Sequence, residues 1–540
     1  MRVHPRYARG GIAARTRLRA VPVLLAVALA TACGSTVQGI GSNLAGTGPG
    51  SSLSGVGGLG GTSPTGTPLA GTGLGGAAGT TGGSALAGST GGATATPTGA
   101  SYPGTTSTFG GPTTTTSTRG VTATEIYIGF VHDKNAGALN AAAGASGITS
   151  GDDQANTRAI IADINKHGGV AGRKLVPVYA NTDSTSTQTL DQQYAAVCQQ
   201  LTQDSPKVFA FAGATIESFR ACLTKANVAM LSDSLPAAGQ ADFSRYPGFI
   251  ELGYANVDRL AAYEAASLNE QNYFSPWNSA TGQPAPTGKA KVGVITYDDQ
   301  VFSSAVDRYL VPALKNLGYT PQVVKVAKAN GASDYAAQEA SVKSAQLSFA
   351  TNGITHVIPF EENGSMSLFF LTNAKTQGYY PRYGINTGSG FEALLESGST
   401  APSKKQMNGT VGFGWFPSID LPASYNPANG PYSNANRRYC LKVMKDNGIS
   451  FSSGNAESIA LGDCAALYLL KTALDKIPAQ ITPGNFINAV EALGTSYQPA
   501  GNLGEEFRPG RHDPSNKAYH WRYFNDCGCF HYEGSLQTIP

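Results

Sequence analysis

The feature that most constrains this chain is a rhythm of short β-type runs alternating with helical segments. Residues 125–131 read as a strand, 152–166 as a helix carrying Ile160, Ile161 and Ile164 on one side, and 174–179 as the next strand. A helix over 190–201, a strand over 208–212, a helix over 219–226 and a strand over 228–231 follow. The pattern restarts near residue 290, with strands at 291–296, 322–326 and 355–359 and helices at 303–317, 336–350 and 365–377. Such alternation with short connections specifies parallel sheets covered on both faces. Two similar series, in a stretch too long for one core, specify two α/β lobes.

The region before residue 119 differs in kind. Arginines 2, 6, 9, 15, 17 and 19 precede the apolar run 21–32 and then Cys33. A basic start, about a dozen apolar residues and small residues at the cut make a secretory signal, too short to span a bilayer. Cys33 directly after Ala30-Thr31-Ala32 resembles a bacterial lipobox, with Ala30 in place of the usual Leu. That resemblance implies a lipidated Cys33 at the new N-terminus; the alternative is an ordinary signal with a chance cysteine. Residues 34–118 carry no charge and consist mainly of Gly, Ser, Thr, Ala and Pro. Such a composition cannot offset chain entropy by burial, and a coil of about 85 residues spans roughly 50 Å. The glycine pattern at 55–60 fits a nucleotide-binding fingerprint, but with no strand before it and no helix after it, it is a low-complexity coincidence. The expected organisation begins with a signal over 1–32 and a lipidated cysteine with its linker over 33–119.

The whole-chain net charge is +3, and no basic run with interleaved aromatics occurs, so nucleic acid is not an expected partner. No Gly-x-Ser-x-Gly elbow, no His-Glu-x-x-His and no evident nucleophile–base pair marks an enzyme, and no cofactor motif stands in context. Of seven cysteines, setting aside Cys33 leaves Cys198, Cys222, Cys440, Cys464, Cys527 and Cys529. An even number in an exported chain favours disulfides. The competing reading is a metal site from Cys527, Cys529 and His531 with His512 or His520; it lacks a second cluster at zinc spacing, and no metal is expected.

Several segments carry a family resemblance. Residues 164–175, with Asn165, Gly168-Gly169 and Gly172-Arg173, and then Asp183, resemble the first-helix exit of type I periplasmic binding proteins of the branched-chain amino-acid group. Residues 211–218 resemble the family's ligand loop, 230–237 the loop after the fourth strand, 295–299 the first strand exit of the second lobe, and 519–523 the last strand. The resemblance covers about 120–525. It implies two Rossmann-like lobes with parallel sheets joined by a hinge, lobe one being 120–255 plus 410–503 and lobe two 256–409 plus 504–540. It also implies a Cys198–Cys222 link between the second and third helices. Cys440 with Cys464 and Cys527 with Cys529 would complete the set, with crossed pairing of these four left open.

The fold implies a site at strand ends beside helix N-termini, where N–H groups and hydroxyls suit anions. Candidates in lobe one are Thr215, Glu217, Ser218, Ser232, Asp233 and Ser234. In lobe two they are Tyr297, Asp299, Glu361, Glu362, Asn386, Thr387 and Ser389. Ser and Asp there equally serve as helix caps. His132 reads as a surface residue, and Trp415 as cleft wall or core. By resemblance, the hydroxyls hold a carboxylate and a lobe-two acid holds an α-amino group. Residues 386–389 carry no acid, however, so Glu361 or Glu362 takes that part or the ligand is not an α-amino acid. Glu217 would repel a carboxylate.

The resulting expectation is a monomeric, lipid-anchored solute receptor that serves an ABC permease and ATPase from outside the cytoplasm. A sensor or envelope interaction protein is the alternative, and a hydrolase is disfavoured. Cys33→Ala is expected to release protein into the medium or to leave an unprocessed precursor, read by fractionation and mass spectrometry. Normal processing with membrane retention would overturn the anchor.

Overall fold

The computed structural model describes residues 118–233, 238–477 and 480–540. The signal, Cys33, the linker through residue 117 and Ser234 lie outside them. Lobe one is built on β1 (Glu125–Lys134), β2 (Lys174–Asp183), β3 (Ala210–Ala212), β4 (Ala229–Ser232) and β5 (Phe249–Glu251). They form a wholly parallel sheet in the order β2-β1-β3-β4-β5. Helix α1 (Asp153–Lys166) begins at Asp152, whose carboxylate accepts the Ala155 N–H at 2.9 Å. It buries Ile160, Ile161 and Ile164 on one face of the sheet, among Ile126 and Ile128. Gly168 and Gly169, both at positive φ, let the chain leave α1 in a conformation other residues resist. The other face is covered by α2 (Leu190–Thr202) and α3 (Glu217–Lys225). Their Tyr194, Val197, Leu201, Phe219 and Leu223 pack on Phe211 and Met230.

Lobe two contains β6 (Val292–Tyr297), β7 (Gln322–Val326), β8 (His356–Phe360), β9 (Arg382–Asn386), β10 (Val411–Gly414), β11 (Lys517–Phe524) and β12 (Cys529–Thr538). Its sheet runs β12-β11-β10-β9-β8-β6-β7. Pairings from β7 to β10 are parallel, whereas β10–β11 and β11–β12 are antiparallel. Helices α4 (Val257–Glu270), α5 (Tyr335–Thr351) and α6 (Ser365–Thr376) belong to this lobe. The helix expected over 303–317 runs through Gln300–Ala305, a π-helical turn at Val306–Leu310 and Val311–Asn316. Pro312 brings no N–H and crowds the preceding turn, and the widened turn accommodates it. Later segments α7 (Ala435–Asp446), α8 (Gly454–Leu474) and α9 (Pro483–Glu491) return to lobe one, where α7 and α8 pack on α1.

Two sequence expectations need correction. Residues 411–414 run in the second sheet, between β9 and β11, so the return to lobe one lies beyond residue 410. Residues 519–523 are not the last strand, because β12 follows them as the edge of the sheet. The second sheet has the expected parallel core, to which β11 and β12 add antiparallel pairings at one side; the tight connection after β11 permits only an antiparallel neighbour there. Among the described residues, no helix is long and apolar enough to cross a membrane.

Segments near 252–256, 415 and 502–515 link the lobes and are bonded to one another. Trp415 Nε1 donates to Gly253 O at 3.0 Å, Asn502 Nδ2 to Leu252 O at 2.6 Å, and the Asn256 N–H to Asp513 Oδ2 at 2.9 Å. Arg259 Nη1 reaches Asp513 Oδ2 at 2.5 Å, while its other donors meet the carbonyls of Ser515, Ile539 and Pro540. The Asp513 side chain is almost fully buried. Removing the guanidinium therefore strands a buried carboxylate. Arg259→Met is expected to lower stability by about 3 kcal/mol in urea unfolding, and an unchanged midpoint would show the junction to be held by other contacts.

Candidate functional site

The strand exits of the two sheets meet between the lobes. From lobe one come Thr215 after β3, Ser232 and Asp233 at the end of β4, and Glu251 at the end of β5. Thr215 and Glu251 are completely buried; no hydrogen bond completes the Thr215 hydroxyl, and no side chain bonds either Glu251 oxygen, which has only the Gly253 backbone N–H nearby. Burial lifts the Glu251 carboxyl well above the usual carboxylate range; nearby Arg220 opposes the lift, while Asp233 and Glu362 add to it. Glu362 belongs to lobe two, so acids of the two lobes sense one another across the junction. Asp463 of α8 joins the group: it is buried, its Oδ2 has no partner, and burial, then Asp233 and Asp153, lift its carboxyl well above the usual range.

Lobe two supplies a connected network. Lys328, two residues beyond β7, pairs with Glu362 and stands 3.6 Å from Asp299 Oδ2. Burial works against its charge, but Glu362 and Asp299 together lift its pKa above the usual lysine range. Its ammonium lies 5.6 Å from the centre of the Tyr297 ring, within cation–π reach. Tyr297 is buried; its hydroxyl donates to Glu361 Oε2 at 3.2 Å and lies 3.1 Å from Ser365 Oγ. Glu361 also accepts the N–H groups of Met366 and Ser367 at 3.0 and 2.8 Å, and the Ser367 hydroxyl. It therefore caps the first turn of α6. Burial nonetheless raises it to about 7, against the pull of those donors. Asp299 likewise caps a helix, accepting the Phe302 N–H at 2.8 Å.

Several expected residues are engaged elsewhere. The Thr387 hydroxyl donates to Asp420 Oδ2 at 2.9 Å and accepts the Trp415 N–H at 3.0 Å. Asn386 bonds to Glu264 and Ser389 to the Pro359 carbonyl. The 386–389 turn thus spends its polar groups inside lobe two. Trp415 is fully buried and meets Tyr254 edge to face. Glu217 and Ser218 are not brought to the junction: Glu217 pairs with Arg245 at 2.5 Å on the surface, both 61% exposed. Ser218 donates to Asp191 at 2.6 Å beside a shallow groove of about 330 Å³ between α2 and α3. Being on a helix facing solvent, they serve the outer layer. His132 Nδ1 lies 2.5 Å from Asp153 Oδ1.

Lys328, Glu251, Arg220 and Asp463 were missed in the sequence. Lys328 obeys the strand-exit rule that found its neighbours, applied to 322–326. Glu251 closes a three-residue strand too short to stand out, and Asp463 sits inside a helix with no local signal.

Cys198 pairs with Cys222, the link the resemblance implies, and of the pairings left open for the other four cysteines the structure has Cys440 with Cys464 and Cys527 with Cys529; the Cα separations are 6.4, 6.1 and 5.3 Å.

A profile described as periplasmic binding protein matches residues 134–526. The chain belongs to the periplasmic binding protein family. No curated protein sequence matches it. Solved structures share the fold at low identity. An ABC transporter substrate-binding protein from Desulfitobacterium hafniense, in complex with Leu, is 16% identical with a TM-score of 0.50, covering 76% of this chain and 100% of its own. A fatty acid ABC transporter substrate-binding protein from Thermomonospora curvata is 14% identical with a TM-score of 0.53, covering 77% and 93%. A solute binding protein of an ABC transporter from Rhodopseudomonas palustris HaA2, in complex with p-hydroxybenzoic acid, is 14% identical with a TM-score of 0.53, covering 77% and 97%.

The raised acids set a pH dependence. Glu361 and Asp420 are lifted by burial to about 7, from usual values of 4.5 and 3.8. Between those limits the folded state holds protons that the unfolded state has lost, so stability falls as pH rises through this window. The urea midpoint is expected to be higher near pH 5.5 than near pH 8, and Glu361→Gln to flatten the difference. A flat or reversed profile in the parent protein would overturn this.

Proposed function

We propose that this protein is a substrate-binding protein that closes its two lobes over one small molecule and delivers it to an ABC importer. It does so from outside the cytoplasm, held to the membrane through lipidated Cys33. Family membership supports the binding role, and the signal, the cysteine and the uncharged linker support the anchor. The observation that carries the reading is Glu251, a buried carboxyl without a side-chain partner at the end of a lobe-one strand, close enough to Glu362 of lobe two for the two acids to act on each other. A buried polar group without a partner is costly, and a ligand seated between the exits would complete it. The reading makes the protein a binder and not an enzyme. The first two disulfides, at sequence separations of 24 each, tie helices within lobe one and leave the junction free to move.

The acids also narrow the ligand. Burial and neighbouring acids already disfavour the ionised forms of Glu251 and Asp463, so the same surroundings would resist the added negative charge of a dicarboxylate. A molecule presenting a cationic or donor-rich group toward Glu251 fits, and an α-amino acid fits only if its carboxylate finds Lys328 or Arg220. A thermal-shift panel of amines, amino acids, amides and aromatic acids tests this. A ligand that raises the melting temperature by mass action is expected. Glu251→Gln should weaken it at least about tenfold, equivalent to about 1.4 kcal/mol, while Ser218→Ala leaves it unchanged. A ligand indifferent to Glu251→Gln but lost in Ser218→Ala would place the site in the α2–α3 groove instead.

A further inference from the structure

Cys527 lies in the connection from β11 to β12 and Cys529 opens β12, in a hairpin already held by its own ladder, with Phe524 opposite Cys529 and Tyr523 opposite Phe530. Their bridge spans a sequence separation of 2, against 24 for each of the others. The entropy a cross-link removes from the unfolded chain shrinks with the loop it closes, so this bridge stabilises the fold least. Its surroundings are nonetheless specific. His531 lies two residues beyond Cys529 on the same side of β12. Its Nε2 is 3.2 Å from Cys529 Sγ and 3.6 Å from Cys527 Sγ. Tyr425, with ring centres 3.7 Å apart, and Phe524, at 4.8 Å, hold the imidazole in that orientation. Gly528 turns the loop at positive φ, where an added Cβ would stand 2.9 Å from Lys404 Cε. Cys527 is exposed, so the cluster is open to solvent.

These distances match a coordination polyhedron. Bonds of about 2.3 Å to sulfur and 2.0 Å to nitrogen, at a tetrahedral angle, put S···N near 3.5 Å and S···S near 3.7 Å. Both S···N distances are in place, and only the two sulfurs must part. We propose that Cys527, Cys529 and His531 form a redox-gated site for a thiophilic d10 cation such as Zn2+. The bridged form is closed to metal. Attack by an external thiol breaks the S–S bond: one disulfide and two external thiols yield two cysteine thiols and one external disulfide. Metal binding then expels one proton from each thiol, while the neutral imidazole ligates through Nε2 and a fourth position stays open to solvent. The histidine is His531 alone. His512 is engaged by Phe249 O and Glu491, and His520 by Glu270.

Zn2+ binding is measured by chelator competition on the protein before and after mild reduction, with Co2+ as a spectroscopic probe. One Zn2+ per reduced chain is expected, with a thiolate-to-cobalt charge-transfer band, and none for the bridged form. His531→Ala should weaken binding by more than the about 10- to 100-fold that loss of an outer-shell partner brings. The double variant Cys527→Ser, Cys529→Ser should abolish binding while leaving thermal unfolding unchanged; it retains the other four cysteines and so controls for them. Absence of Zn2+ binding by the reduced protein, or equal binding by the double variant, would overturn the proposal.

Discussion

The arrangement depends on one buried ion pair at the junction of the lobes, Arg259 with Asp513. Asp513 accepts from the guanidinium and from the backbone of Asn256, so one carboxylate fixes two of the segments that link the sheets. The guanidinium spreads its remaining donors over the carbonyls of Ser515, Ile539 and Pro540. A planar group with several fixed donors suits this task, since it bonds several carbonyls at once, and a lysine would not. The consequence is mechanical. The linking segments are bonded into one bundle between the two sheets, beside the point where Glu251 at the end of β5 and Glu362 beyond β8 act on each other.

This geometry forces acids together. A strand exit is a natural place for a carboxylate, because the helix that follows offers free N–H groups. Asp299 and Glu361 are satisfied in that way. Glu251 and the Oδ2 of Asp463 are not, and they share their surroundings with Asp233. Arg220 offsets part of this charge from lobe one, and Lys328 part from lobe two. The polar deficit therefore sits on the lobe-one side, while the lobe-two side is largely self-contained.

The alternation of strands and helices was legible because buried parallel strands read as short apolar runs between helical periods, and most of lobe one and the start of lobe two were found this way. What escaped follows from physics as well. β5 is three residues long and contributes Glu251 through register with Ser232, a long-range pairing that leaves no local pattern. Val411–Gly414 reads as a strand of either lobe, and only its neighbours decide. Glu217 and Ser218 follow a strand as the rule requires, yet helix α3 starts there and turns both side chains outward. Thr215, two residues earlier, stays in the extended segment and remains inside. The strand-exit rule thus finds the neighbourhood, and the phase of the next helix decides which residues face the cleft.

The same distinction separates what the two lobes contribute to a ligand. Tyr297, Glu361, Ser365 and Ser367 already satisfy one another, so a ligand gains little by displacing them. Glu251 has no side-chain partner and the Thr215 hydroxyl has no partner, so a ligand group that reaches either removes a desolvation penalty as well as forming a bond. Because the Glu251 carboxyl is held above its usual range by burial and by other acids, a cationic group arriving there would restore its ionised form. A cation would thus draw a proton away from the Glu251 carboxyl, whereas a neutral hydrogen-bonding ligand exerts no such pull. The charge of the ligand is thereby coupled to proton release at a single buried residue.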